Sequence, residues 1–133
     1  MAEQVTVRSY AKGVALAPRK VAIVASLVRD RTVDDAVVIL DHTPRRSALA
    51  VKKAIEAAKN NALVNHDLDS KGLKITKISV TAGTRMKRFK PASRGRALPI
   101  EKKSSNILVE ISGNAKAKKP AAKAKTSVKE EAK

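Results

Sequence analysis

The sequence predicts an α+β domain in which three amphipathic helices cover one face of a small antiparallel sheet. Three observations carry this reading. Segments between Pro18 and Ala62 repeat apolar residues at helical spacing, and short alternating apolar runs lie before and after them. The 133 residues suffice for one domain plus tails. Aromatic residues are only 2% of the chain, Tyr10 and Phe89, so the core allowed by a 43% hydrophobic content must be built from Val, Ile, Leu and Ala.

Val5 to Ala11 reads as a short strand, with Val5 and Val7 alternating against Thr6 and Arg8, and Gly13 ends it. Pro18 suits the first turn of a helix, and Val21, Val24, Leu27 and Val28 follow at helical spacing to Arg29. Thr32 with Asp35 three residues on predicts an N-cap, and Val33, Ala36, Val37 and Leu40 form the stripe of a two-turn helix. Thr43 and Pro44 predict the start of the longest helix, whose buried stripe is Ala48, Val51, Ile55, Ala58 and Ala62. Asn65 to Gly72 is a polar loop. Leu73 and Ile75, then Ile78 and Val80, alternate with polar residues, but the phase slips between Ile75 and Ile78, which predicts a bulge. Ile107, Val109 and Ile111 form a later strand, antiparallel to this one.

Charge is the strongest signal of function. Lys and Arg number 29 against 12 Asp and Glu, a net charge of +17 that attracts polyanions. Nucleic acid is the default partner and an anionic membrane surface the second. No apolar run is long enough to span a bilayer. The first residues lack the pattern of a signal peptide. The absence of Cys removes disulfides and thiolate chemistry and suits a reducing cytoplasm. The charge is uneven: the first 44 residues carry six basic and five acidic side chains, whereas residues 81–112 carry eight and two.

The most informative segment runs from Arg85 to Lys103. Arg85, Lys87, Arg88, Lys90, Arg94, Arg96, Lys102 and Lys103 face a single acid, Glu101, and Pro91, Gly95 and Pro99 punctuate them. If the flanking strands continue into it as a ribbon, arms of roughly ten residues reach roughly 30 Å. Such a ribbon has no core to offset a backbone ordering cost of about 1–2 kcal/mol per residue. It therefore needs an anionic partner. Arg residues clustered between short, extended residues suit bidentate phosphate contacts and stacking on bases. Arg19 and Lys20 in the first helix and Arg45 and Arg46 in the third sit in first turns, where basic residues are not favoured by the helix dipole; they are candidate phosphate contacts, as are Lys52 and Lys53. Residues 113–133 are a Lys/Ala-rich tail, expected to be disordered and outside the domain of residues 1–112.

Catalytic patterns are missing. His42 beside Asp41 reads as a turn residue, His66 lies in a polar loop, and adjacent Asp34 and Asp35 serve first-turn capping. There is no phosphate loop, nucleophile elbow or zinc-binding helix. An enzyme is not expected, and no cofactor or metal is implied.

Several of these motifs together resemble a known family. Pro18-Arg19-Lys20 opening a helix, Val28-Arg29 closing it, Ala36 to Leu40, Lys52-Lys53-Ala54-Ile55, Ala57 to Asn61, Lys87-Arg88-Phe89-Lys90-Pro91, Arg94-Gly95-Arg96-Ala97 and Ser105 to Val109 resemble, in order, bacterial large-subunit ribosomal protein twenty-two. The likeness covers roughly Val5 to Ser112. It implies three helices on a three-stranded antiparallel sheet with a long protruding β-hairpin, about residues 85–103. It also implies that the globular part binds large-subunit ribosomal RNA beside neighbouring ribosomal proteins near the peptide exit. The hairpin tip, with Pro91, Ala92, Ser93 and Gly95, would then line the nascent-peptide tunnel and influence macrolide sensitivity. Five positions depart from the usual pattern: Ala22 for a basic residue, Asp30 for Gly, Ala92-Ser93 for Arg-Ala, and Asn106 for His. The rival reading is a nucleoid-associated DNA-binding protein, which the basic tail would suit.

Overall fold

The computed structural model describes residues 4–114. The elements run β1 (Gln4–Val14), α1 (Pro18–Leu27), α2 (Val33–Asp41), α3 (Arg46–Asn65), β2 (Lys74–Pro91), a 3-10 turn (Ser93–Gly95) and β3 (Ala97–Asn114). The sheet order is β1-β3-β2, antiparallel throughout. β3 occupies the centre for a reason visible in its sequence. Ile107, Val109 and Ile111 are fully buried, opposite Ala11, Ser9 and Val7 on one side and Val80, Ile78 and Ile75 on the other. These rows share one face because strand side chains alternate, and the helices cover that face. The opposite face is polar, and there Arg8 Nε lies 3.0 Å from Glu110 Oε1.

The helix stripes follow the expected spacing, with one exception. Ala48, Val51, Ile55, Ala58 and Ala62 are all buried on α3, and Val33, Ala36 and Leu40 on α2. Val21 and Val24 on α1 and Val28 at its C-cap are buried, but Leu27 is 46% exposed. The helix ends at Leu27 rather than Arg29, because Asp30 turns the chain into the left-handed region at φ 58. That conformation favours glycine, and Asp tolerates it better than most side chains. Thr32 caps α2 as expected, accepting from Asp35 N at 3.3 Å and donating to Asp35 Oδ2 at 2.7 Å. Thr43 does not cap α3. Its hydroxyl donates instead to Ile39 O at 2.7 Å, and Pro44 holds the preceding residue away from helical angles, so Arg45 becomes the N-cap and α3 starts at Arg46.

α3 takes in Asn65, and the loop that follows, from His66 to Gly72, is polar except for one anchor. Leu68 is fully buried, and its amide donates to Ala62 O. The bulge between Ile75 and Lys77 accounts for the phase slip in β2. β1 is longer than expected. Gly13 does not end it but sits in a bulge at φ 71, a conformation most side chains avoid, and pairing resumes at Val14 opposite Ser105. At the other end β3 runs two residues beyond Ser112, and Asn114 pairs with Gln4. Gly113 and Asn114, expected to open the disordered tail of residues 113–133, are instead held in β3 by pairing with Val5 and Gln4; the rest of that expected tail, residues 115–133, lies outside the described residues.

Candidate nucleic-acid interface

Beyond the Val14–Ser105 pair, β1 stops and β2 and β3 continue alone. The ladder runs from Arg85 opposite Lys103 to Pro91 opposite Ala97. From Gly83 to Pro91 this ribbon extends about 30 Å at about 3.4 Å per residue. Every residue from Arg85 to Lys103 is exposed except half-buried Ala92. The ribbon leaves the sheet between two bulges at the same level of β3, one on β1 and one on β2. Asn106 Oδ1 accepts from Gly13 N at 2.9 Å, which secures the first bulge and gives Asn106 a structural role. Ser104 Oγ donates to Thr84 O at 2.6 Å and secures the second. Bulges bend a strand and raise its twist, so this root sets the direction of the ribbon.

Cross-strand partners point to the same side, so the register assigns the ribbon's faces. Arg85, Lys87, Lys103, Glu101, Phe89 and Pro99 share one. Met86, Arg88, Lys90, Lys102, Ile100 and Leu98 share the other. Both faces therefore carry cations interleaved with apolar side chains, and Phe89 is 76% exposed. At the tip, Arg96 N donates to Ser93 O, and Ala92 N donates to Arg96 O at 2.8 Å. Arg94 at φ 56 and Gly95 at φ 68 make a two-residue turn with both central residues left-handed. This turn matches the right-handed twist of a hairpin. Gly95 adopts it freely, whereas Arg94 does so at a cost of about 1–2 kcal/mol.

The sheet ends where the globular cations gather. Near its C-terminal end α3 donates from Asn61 Nδ2 to Arg8 O, while Arg46 and Leu49 near its start share a groove with Val14 and Leu16. α3 thus runs antiparallel to β1 and begins at the end from which the ribbon leaves. α1 also begins there, four residues after Val14. Arg19, Lys20, Arg45, Arg46 and Lys53 are exposed. Among the described residues none of these five forms an ion pair.

Lys52 stands apart from them. Its ammonium lies 2.6 Å from Asp41 Oδ1 and 3.8 Å from Glu56, and the hydrogen bond to Asp41 raises its pKa above the ordinary lysine value. One helical heptad on, Lys59 pairs with Asp34 at 2.6 Å. The acids of α2 thus neutralise one side of α3 and leave the side carrying Arg46 and Lys53 free. On the ribbon, among the described residues, only Arg85 has an acidic neighbour, Glu101 at 3.8 Å. Leu49, to which the sequence pattern assigns no function, lines a groove beside Arg46 and Lys53. Leu49 falls outside the buried stripe of α3 and is 59% exposed, which was the available signal. His42 acts locally, with its Nδ1 lying 2.9 Å from Val38 O to close α2.

Fold and surface together define a class: a cationic α+β domain with an exposed basic ribbon, and with no metal-ligating cluster among the described residues. Residues 9–112 match the family model described as ribosomal protein L22p/L17e. The chain is similar to proteins named large ribosomal subunit protein uL22. It is 43% identical to that of Pediococcus pentosaceus over 113 residues, covering 84% of this chain and 96% of the relative. It is 39% identical to those of Lactobacillus helveticus and Lactobacillus gasseri over 113 residues, covering 84% of this chain and 97% of each relative. The chain belongs to the ribosomal protein L22p/L17e family, whose members are structural proteins rather than enzymes.

Proposed function

We propose that this protein is a structural constituent of the large ribosomal subunit, located on cytoplasmic ribosomes. In this reading it binds large-subunit ribosomal RNA, supports assembly beside neighbouring ribosomal proteins, and lines the nascent-peptide tunnel with its hairpin tip. One observation carries the finer part of this proposal. The ribbon displays cations and apolar side chains on both faces, along about 30 Å, with no core beneath them. A ribbon lying on a flat polyanion needs cations on one face only. Two cationic faces suit a ribbon enclosed by phosphates, and the exposed Phe89, Leu98 and Ile100 suit contacts with unstacked bases.

In this reading Arg85, Lys87, Arg88, Lys90, Arg94, Arg96, Lys102 and Lys103 hold RNA along the ribbon. Arg19, Lys20, Arg45, Arg46 and Lys53 hold it at the ribbon's root. Lys52 contributes less, because Asp41 already occupies its charge. Pro91, Ala92, Ser93 and Gly95 shape the tunnel wall. The test has two parts. The protein should co-sediment with the large subunit after a high-salt wash. Deleting residues 92–95 should leave incorporation nearly intact, because the globular cations remain, while altering sensitivity to a tunnel-binding antibiotic. Failure to co-sediment, or tight preference for duplex DNA over folded RNA, would refute the ribosomal reading in favour of a nucleoid protein. Loss of assembly on tip deletion would refute the division of roles.

A further inference from the structure

The sheet has a second face, turned away from the helices. At each bulge the extra residue lies on β1 or β2, so β3 keeps its alternation, and its even-numbered residues share one side from Leu98 to Ser112. The register builds this side in rows. Thr6, Ser112 and Lys74 form one, Arg8, Glu110 and Lys77 the next, and Tyr10, Leu108 and Ser79 a third. Past Asn106 and Thr81 the same side becomes the ribbon face that carries Lys102, Ile100 and Leu98. Neighbouring rows lie about 7 Å apart and neighbouring strands about 4.8 Å apart. Tyr10 is 57% exposed, with half-buried Leu108 beside it. Glu110 is the only acid in these rows; Arg8 meets it through Nε at 3.0 Å, and the Arg8 side chain stays 72% exposed. Lys74 and Lys77 are exposed and form no ion pair among the described residues.

We propose that this open sheet face binds a single strand of RNA arriving from the ribbon: one base stacks on Tyr10 beside Leu108, and the phosphates that follow sit on Lys77 and Lys74 along β2. This deepens the RNA-binding reading and rests on it. Three features select the occupant. An exposed ring on a sheet accepts the face of any base. The two lysines beyond it lie one row apart on a single strand, a track for successive phosphates rather than a point for one anion. The face is also continuous with the cationic ribbon, so one strand follows both without leaving the protein. An acidic protein segment would match the lysines alone. The charge of +17 and the continuity with the ribbon make nucleic acid the better match. A duplex fits less well, because its bases are already stacked on one another.

Tyr10 makes the proposal testable, because it is the sole tyrosine in a chain without tryptophan and so reports on this face. Its emission should fall when poly(U), which is poorly stacked, is added to the full-length protein, after inner-filter correction. A blunt RNA duplex should quench it far less, and polyglutamate, which offers charge without a base, should not quench it at all. Fluorescence anisotropy of labelled oligo(U) then separates stacking from charge. Tyr10→Thr keeps a residue suited to an exposed strand position. It should weaken binding about tenfold, as expected for loss of one base–aromatic stack, without changing the salt slope. Tyr10→Phe keeps the ring and should bind as the parent does. Lys74→Gln with Lys77→Gln should lower the salt slope by about 1.4, at about 0.7 per phosphate for a single strand. Equal affinities of the parent and Tyr10→Thr, or equal losses in Tyr10→Phe and Tyr10→Thr, would overturn the proposal. Quenching by polyglutamate as strong as by poly(U) would overturn it in favour of an acidic protein segment. Salt-sensitive RNA binding without any response from Tyr10 would defeat this face alone. Absence of all RNA binding would defeat the broader reading and this one with it.

Discussion

Replacing Arg88, Arg94 and Arg96 together with Ala tests whether the ribbon grips RNA through phosphates. The structure supplies the magnitude. All three guanidinium groups are exposed, and none forms an ion pair among the described residues. Arg88 donates only to Lys87 O and Met86 Sδ on its own strand. The core touches none of them, so the midpoint of thermal unfolding should stay unchanged. Each neutralised phosphate adds about 0.7–0.9 to the slope of log affinity against log salt, so the triple variant should lose about 2–3 of that slope. The gap in affinity between parent and variant should then narrow by about 20–40-fold from about 50 to about 200 mM salt. Fluorescence anisotropy with large-subunit RNA across that range measures both quantities. An unchanged slope would refute the phosphate account. Loss of affinity that is independent of salt would mean that the arginines read bases or shape the tip. In the ribosome the same variant should incorporate poorly into large subunits.

The remaining expectations concern the free protein. Ile55 is fully buried on α3, so Ile55→Ala should cost about 2–5 kcal/mol of stability by urea unfolding. The raised pKa of Lys52 stabilises the fold below the ordinary lysine value near 10.5, and this contribution should disappear as pH rises through the higher folded value. Asp41→Asn should remove most of that alkaline loss in urea midpoints measured across the range, leaving the smaller part due to Glu56. Amides of residues 88–96 should exchange within the fastest class by hydrogen exchange, whereas those of Ile107 to Ile111 should be protected, because only the latter lie over the core. Arg94→Gly should relieve about 1 kcal/mol of turn strain, visible as slower exchange at the tip, while weakening RNA binding through the lost cation.

By itself the sequence determined the class of fold and the charge that defines the partner. Helical periodicity is local, so the stripes from Val21 to Ala62 were legible with one misplaced residue, Leu27. The phase slip between Ile75 and Ile78 likewise marked a bulge, because the side-chain period of a strand is two. The density of cations from Arg85 to Lys103 required no coordinates to recognise. What tertiary structure decided is which of those charges remain available. Lys52 and Lys53 are adjacent in sequence and equivalent by composition, yet α2 packs against α3 so that Asp41 neutralises one and leaves the other free. Val14, Leu49 and Lys53 are separated in the chain and line one groove only when α3 runs antiparallel to β1. The end of α3 at which Arg46 sits and the root of the ribbon coincide for the same reason. Periodicity reports which face of an element is buried; pairing between elements, as between Asp41 and Lys52 at a separation of 11 residues, depends on how the faces meet.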